Sequence, residues 1–104
     1  MNETLVLAQS SRRVVREIRC PAQIKVSSIR NTGDWEIPAV PANYAEVKVE
    51  RRDLGGTEVY STVCYYSVFL GKVAIEKVIG ATNEFSSCEA AQIRGRGGVR
   101  CYAR

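Results

Sequence analysis

The sequence predicts a mainly β domain: an antiparallel meander forming a small sandwich or curved sheet, with one short helical turn and two disulfides. Three observations predict it. Two apolar-rich runs between Thr57 and Gly80 alternate with period 2 around Gly71-Lys72. Ala45, Val47 and Val49 alternate with Glu46, Lys48 and Glu50, the pattern of a strand with one wet face. Four cysteines, an even number, stand in a chain of 104 residues, and none lies in a C-x-x-C pair.

Taken in order, the stretch Leu5 to Arg19 supports two readings. Val14, Val15 and Ile18 have helical spacing behind a Ser10 or Ser11 cap, whereas Val14, Arg16, Ile18 and Cys20 alternate as a strand does. The expectation is a strand, or an extended arm ending in one, since Pro21 disfavours helical geometry at Cys20. Ile24, Val26 and Ile29 continue as a short strand. Asn31 to Asn43 holds Gly33, Pro38, Pro41 and Asp34, which is loop chemistry, and contains the only tryptophan. Trp35 in such a loop is either a lid over one end of the core or an exposed recognition anchor.

Asp53-Leu54-Gly55-Gly56 turns the Ala45 strand back onto the central run. A two-residue Gly55-Gly56 turn sets Val47 opposite Cys64 and Val49 opposite Thr62. With Gly71 first in a tight turn, Leu70 falls opposite Val73, Val68 opposite Ile75, Tyr66 opposite Lys77 and Cys64 opposite Ile79. Tyr60, Thr62, Cys64, Tyr66, Val68 and Leu70 then share the core face with Val47, Val49, Val73, Ile75 and Ile79, while Glu46 and Lys48 face water. Ala81 to Ala91 reads as a loop with a single helical turn. Gln92 to Tyr102 reads as a last hairpin, with Gly95-Arg96-Gly97-Gly98 at its tip. All of this fits one domain over residues 1–104, comprising an arm or strand over 1–19, a three-stranded meander over 45–79 and a terminal hairpin over 92–102.

The cysteines choose among three pairings. Cys88 and Cys101 flank the terminal hairpin, where local closure is easy. Cys64 faces inward from the central strand and is left to meet Cys20. The expected bonds are therefore Cys20–Cys64 and Cys88–Cys101, against the competing Cys20–Cys101 with Cys64–Cys88. Two disulfides imply an oxidising compartment, periplasmic or secreted. MNETLVLAQ is neither a signal peptide nor a membrane span, so an exported protein is expected to have had its leader upstream of this sequence.

Composition argues against catalysis. The chain has no histidine, the side chain most used for acid-base work near neutral pH, and shows no G-x-S-x-G, phosphate-loop or H-E-x-x-H signature. A zinc site would need all four cysteines without the usual close pairs, so neither metal nor cofactor is expected. What remains is positive charge, net +4, concentrated in RGRGGVR. Arg94, Arg96 and Arg100 on a glycine-rich tip can grip anions, and Tyr102 beside them can stack on a base. The alternative for the same residues is a solvated turn with a soluble edge. Arg12, Arg13, Arg16 and Arg19 form a second basic group.

Cys20-Pro21 before Ile24 and Val26, then Gly33 and Trp35, Cys64-Tyr65-Tyr66, Cys88, and Cys101-Tyr102 form an order that resembles a family of small exported bacterial proteins of unknown function. The resemblance spans roughly residues 20 to 102. It implies a β-rich exported domain and carries over no functional residues. The expectation is a non-catalytic binding module, an inhibitor or immunity-type partner or an anionic-surface binder, whose ligand is an acidic protein or an anionic surface. Its rival is single-stranded nucleic-acid binding through the arginine-glycine tip.

Overall fold

The computed structural model of the chain describes residues 12–26, 40–68 and 71–104. Among the described residues, seven strands form two antiparallel sheets. One sheet has the order β1-β7-β6, from β1 (Val14–Arg19), β6 (Phe85–Ile93) and β7 (Arg96–Ala103). The other has the order β2-β3-β4-β5, from β2 (Gln23–Val26), β3 (Val40–Leu54), β4 (Thr57–Val68) and β5 (Gly71–Ala81). Val14–Arg19 is thus a strand, paired with the carboxy-terminal one, Ile18 meeting Val99 and Arg19 meeting Gly98, while the rest of the expected arm, residues 1–11, lies outside the described residues.

The sheets stack face to face, as a sandwich, through a core of Tyr60, Ile79, Phe85, Val99 and Cys101, with Ile18, Val47, Val49 and Cys88 packed against it. A second cluster of Cys20, Ala42, Cys64 and Tyr66 continues the interior toward β2, joined by Ile24, Val26, Tyr44, Val68 and Val73. Both expected disulfides are present. Cys20–Cys64 ties the end of β1 to the middle of β4, and so sheet to sheet, with Cα atoms 5.9 Å apart. Cys88–Cys101 joins directly opposed residues of β6 and β7, 4.0 Å between Cα atoms.

The β3–β4 register agrees with the turn geometry: Val47 lies opposite Cys64 and Val49 opposite Thr62. Ala45 departs from the alternation, because a bulge between Tyr44 and Glu46 leaves it exposed and turns Tyr44 inward instead. There the Tyr44 ring meets Tyr66 edge to face, 6.2 Å between centroids. β3 also begins earlier than the loop chemistry predicts. Pro41 pairs with Lys25 and Asn43 with Gln23, and the proline is tolerated because the described β3–β4 pairing begins only at Asn43, opposite Ser67.

The β4–β5 register corrects the sequence reading. Val68 pairs with Gly71, Ser67 with Lys72, Tyr66 with Val73, Cys64 with Ile75 and Thr62 with Lys77, so Gly71 and Lys72 are paired residues of β5 rather than the turn. The partners of Val68, Tyr66 and Cys64 are each displaced by four positions, an even number, so the same faces of the two strands still meet. Tyr66, Cys64 and Thr62 are buried as expected, and a bulge between Tyr60 and Ser61 inserts Ile79 into the core while Val78 turns to solvent. Ile75 departs from expectation: it lies on the core side but stays 38% exposed, because no strand of the other sheet covers it there.

After the 3-10 turn Thr82–Glu84, the chain forms β6 where the sequence reads as a loop. Its small polar residues are strand-compatible because pairing with β7 buries Phe85 and Ile93 at its two ends. The hairpin tip is Arg94-Gly95, at φ 50° and 81°, the two-residue reversal with positive φ at both positions. Gly97 and Gly98 lie inside β7 instead of at the tip, and both are buried. A Cβ on Gly98 would stand 2.3 Å from the Ile18 carbonyl oxygen, so the missing side chain is what lets β1 lie this close to β7.

Candidate anion-binding site

The outer face of the three-stranded sheet carries most of the arginines singled out by the sequence, and it divides them into two environments. At the end where the chain emerges, Arg12 stacks over the Tyr102 ring at 4.1 Å and lies 3.6 Å from Glu89. The Tyr102 hydroxyl donates to Glu89 at 2.6 Å, and the residue is 8% exposed. Tyr102 is therefore enclosed and does not offer a face on which a base could stack. In the middle of the sheet, Arg100 donates to Glu17 directly across the β1–β7 pair, at 3.2 and 3.4 Å, and Glu17 holds the guanidinium pKa above its usual value. Its charge is already answered.

The other end differs. Arg19 closes β1, Arg94 opens the β6–β7 turn and Arg96 opens β7, so three guanidiniums meet at the hairpin tip. Arg19 donates through Nη2 to the Arg94 carbonyl oxygen at 2.8 Å, while its Nε is buried without a partner. Arg96 reaches back and donates through Nη1 to the Cys20 carbonyl oxygen at 3.1 Å. Among the described residues, no carboxylate pairs with any of these three. The Arg19 pKa is lowered, first by desolvation and then by the positive charges of Arg96 and Arg94. A recess of about 360 Å³ lies between Arg19, Arg94, Ile93, Glu17 and Arg100.

Clustered like charges with unspent donors are what an anion site offers: guanidinium forks match carboxylate, sulfate and phosphate oxygens two at a time. The sequence reading grouped Arg94 and Arg96 with Arg100 and Tyr102. The structure adds Arg19 to them, keeps Arg100 on the same recess but bonded to Glu17, and encloses Tyr102. Nothing local marks Arg19 in the sequence, since it reaches the tip only through a β1–β7 pairing between opposite ends of the chain. The rest of the second basic group is dispersed: Arg16 donates to the Ile79 carbonyl oxygen at 2.7 Å, and the Arg13 carbonyl accepts from the Ala103 N–H. Trp35 lies outside the described residues.

Elsewhere Arg12, Arg51, Arg52, Lys72 and Arg100 are ion-paired, while Lys25, Lys48, Lys77 and Arg104 stand singly among the described residues. On the outer face of the four-stranded sheet, Arg52 bonds Glu50 and Glu76, with the Glu76 contact at 3.2 Å, and Lys48 lies 5.5 Å above the Tyr65 ring. An open groove of about 440 Å³ lined by Arg51, Glu58, Tyr60, Asn83 and Arg104 mixes both signs. Among the described residues no group of three potential metal ligands occurs, and no helix is long and apolar enough to cross a membrane. Fold and site together define a two-disulfide β-sandwich with a basic hairpin tip, built for an oxidising environment. No protein-family model matches the chain, and no curated protein or solved structure matches it either.

Proposed function

We propose that this protein is an exported, periplasmic or secreted, non-catalytic binding module that seats an acidic patch of a partner protein on the tip formed by Arg19, Arg94 and Arg96. One observation supports the reading above others: these three neighbouring arginines form no ion pair among the described residues, Glu17 beside them being bonded to Arg100, while Arg12, Arg51, Arg52 and Arg100 each have a carboxylate partner. A narrow site of this kind suits a local cluster of aspartates and glutamates. A broad anionic surface would call for a broad basic field, whereas Arg12, Arg51, Arg52, Lys72 and Arg100 already carry carboxylate partners. An inhibitor or immunity-type role fits a rigid, disulfide-tied scaffold presenting a tip. The enclosure of Tyr102 counts against the single-stranded nucleic-acid reading, which depends on stacking.

The experiment is a titration of three defined probes, a poly-glutamate peptide, a sulfated glycan and a single-stranded oligonucleotide, across a salt series. The acidic peptide is expected to bind best, and Arg94→Glu/Arg96→Glu is expected to abolish that binding. Preference for the oligonucleotide with a steep salt slope would replace the proposal with the nucleic-acid one. Equal binding by the wild type and the reversed tip would remove the site altogether.

A further inference from the structure

β5 is the outer strand of the four-stranded sheet and β1 the outer strand of the three-stranded one, and the two border a common cleft. Its floor is Thr62 and Cys64 of β4. Ile75, Glu76 and Lys77 of β5 form one wall, and Ile18, Arg19 and Pro21 form the other. The Arg16 bond to the Ile79 carbonyl ties one end and the Cys20–Cys64 disulfide ties the other. Between these ties, the free edges of β1 and β5 present main-chain donors and acceptors that no described strand takes up, which is a template for strand addition.

Two details mark the cleft as unfinished. Ile75 is 38% exposed although it faces the core side, and Thr62 is 2% exposed with a hydroxyl that has no hydrogen-bond partner. A buried hydroxyl left unsatisfied is destabilising, and a main-chain amide entering the cleft would satisfy it. The cleft volume of about 190 Å³ exceeds the roughly 150 Å³ of a protein cavity able to hold benzene. That is room for a branched aliphatic side chain, so the occupant suited to it is an extended peptide with apolar residues on one face.

The chain itself contains such a peptide. Residues 1–11 precede the described part and include Thr4-Leu5-Val6-Leu7-Ala8-Gln9, six uncharged residues that place Leu5 and Leu7 on one face when extended. Eleven residues can reach at most about 40 Å, and they leave from the Tyr102 end of β1, where the Arg13 carbonyl accepts from the Ala103 N–H at 2.7 Å. To enter its own cleft beside β1, this segment would have to reverse at Ser10-Ser11, and neither serine suits the positive φ that a two-residue reversal needs. A neighbouring copy imposes no such turn.

We propose that Thr4 to Gln9 of one copy adds as a strand to the cleft between β1 and β5 of a second copy, with its leucine face toward Ile18 and Ile75. Donor arm and acceptor cleft are different surfaces, so each copy can both give and receive, and the contact can pass from copy to copy.

Sedimentation velocity over a concentration series tests this. The full chain is expected to associate, whereas the chain lacking residues 2–9, Leu5→Glu/Leu7→Glu and Ile75→Lys are each expected to stay monomeric. Mixing the last two should restore a one-to-one heterodimer, because one keeps a working cleft and the other a working arm. A labelled peptide of residues 2–11 should saturate the arm-less protein and bind at least tenfold more weakly to arm-less Ile75→Lys, a readout independent of how each full-length variant folds. Association that survives loss of the arm overturns the proposal. So does a full chain that stays monomeric, whether the peptide fails to bind the arm-less form or binds it, the second result assigning the cleft to the chain's own arm.

Discussion

The Tyr66 hydroxyl donates a 2.7 Å hydrogen bond to the carbonyl oxygen of Pro21, joining the centre of the four-stranded sheet to the segment that leaves β1. It lies beside the Cys20–Cys64 disulfide and performs the same sheet-to-sheet task without a covalent bond. Tyr66→Phe keeps the ring and loses only the donor, leaving a carbonyl on exposed Pro21 that water can reach. The expected loss is about 1 kcal/mol in denaturant unfolding.

The same residue makes stability depend on alkaline pH. Burial raises the Tyr66 pKa above its usual value, Arg96 opposing and Tyr44 adding to the effect. The native state therefore holds the phenol proton more tightly than the unfolded chain does. That contribution is complete below the unfolded pKa of about 10 and is lost as pH rises through the raised native value. Thermal melts of wild type and Tyr66→Phe between neutral and alkaline pH should converge as pH rises, and a constant gap would show that Tyr66 does not titrate in this way.

Gly98 and Gly95 should respond differently to alanine. At Gly98 the new methyl would stand 2.3 Å from the Ile18 carbonyl and 2.8 Å from the Ile93 side chain, so β1 and β7 must separate. The expected loss is about 3 kcal/mol, with weakened protection of the β1 amides in hydrogen exchange. At Gly95 no atom lies within 4 Å of the added methyl, and only the positive φ of 81° is penalised. That loss should be about 1 kcal/mol, with β1 protection intact.

The two disulfides are expected to rank by the loop each closes. Cys20 and Cys64 are 44 residues apart and Cys88 and Cys101 are 13 apart. In the chain-entropy treatment the first contributes about 4 kcal/mol and the second about 3 kcal/mol. Paired cysteine-to-alanine variants in guanidinium unfolding measure both, and a larger loss for Cys88/Cys101 would show that strain or residual structure outweighs loop closure.

Arg19, rather than Arg100, should govern anion affinity. Arg100 is already engaged by Glu17, whereas Arg19 shares the tip with Arg94 and Arg96. Arg19→Glu is expected to lower poly-glutamate affinity about as much as Arg94→Glu, roughly tenfold or more in low salt, and Arg100→Gln to change it little. The reverse ranking would move the site toward the middle of the sheet.

Much of this architecture was legible in the residues alone. Period-2 alternation identified the core-side residues of β3, β4 and β5, because a strand's side chains must alternate whatever its neighbours do, but not that Val59, Ser61 and Val63 on the other side of β4 are buried as well. Gly55-Gly56 set the β3–β4 register, because a two-residue turn leaves no freedom in counting. With Cys64 placed inward, the disulfide pairing followed. The β4–β5 register was not legible, since displacing the partners by four positions preserves every face and period 2 is blind to it. Nor was β6, whose serines and alanines become a strand only because β7 pairs with them. The tip cluster was decided furthest from local sequence: Arg19 joins Arg94 and Arg96, and Arg12 encloses Tyr102, only when the first strand hydrogen-bonds to the last. Local rules act over a few residues, and a contact between opposite ends of the chain exists only once the sheet that carries both ends has closed.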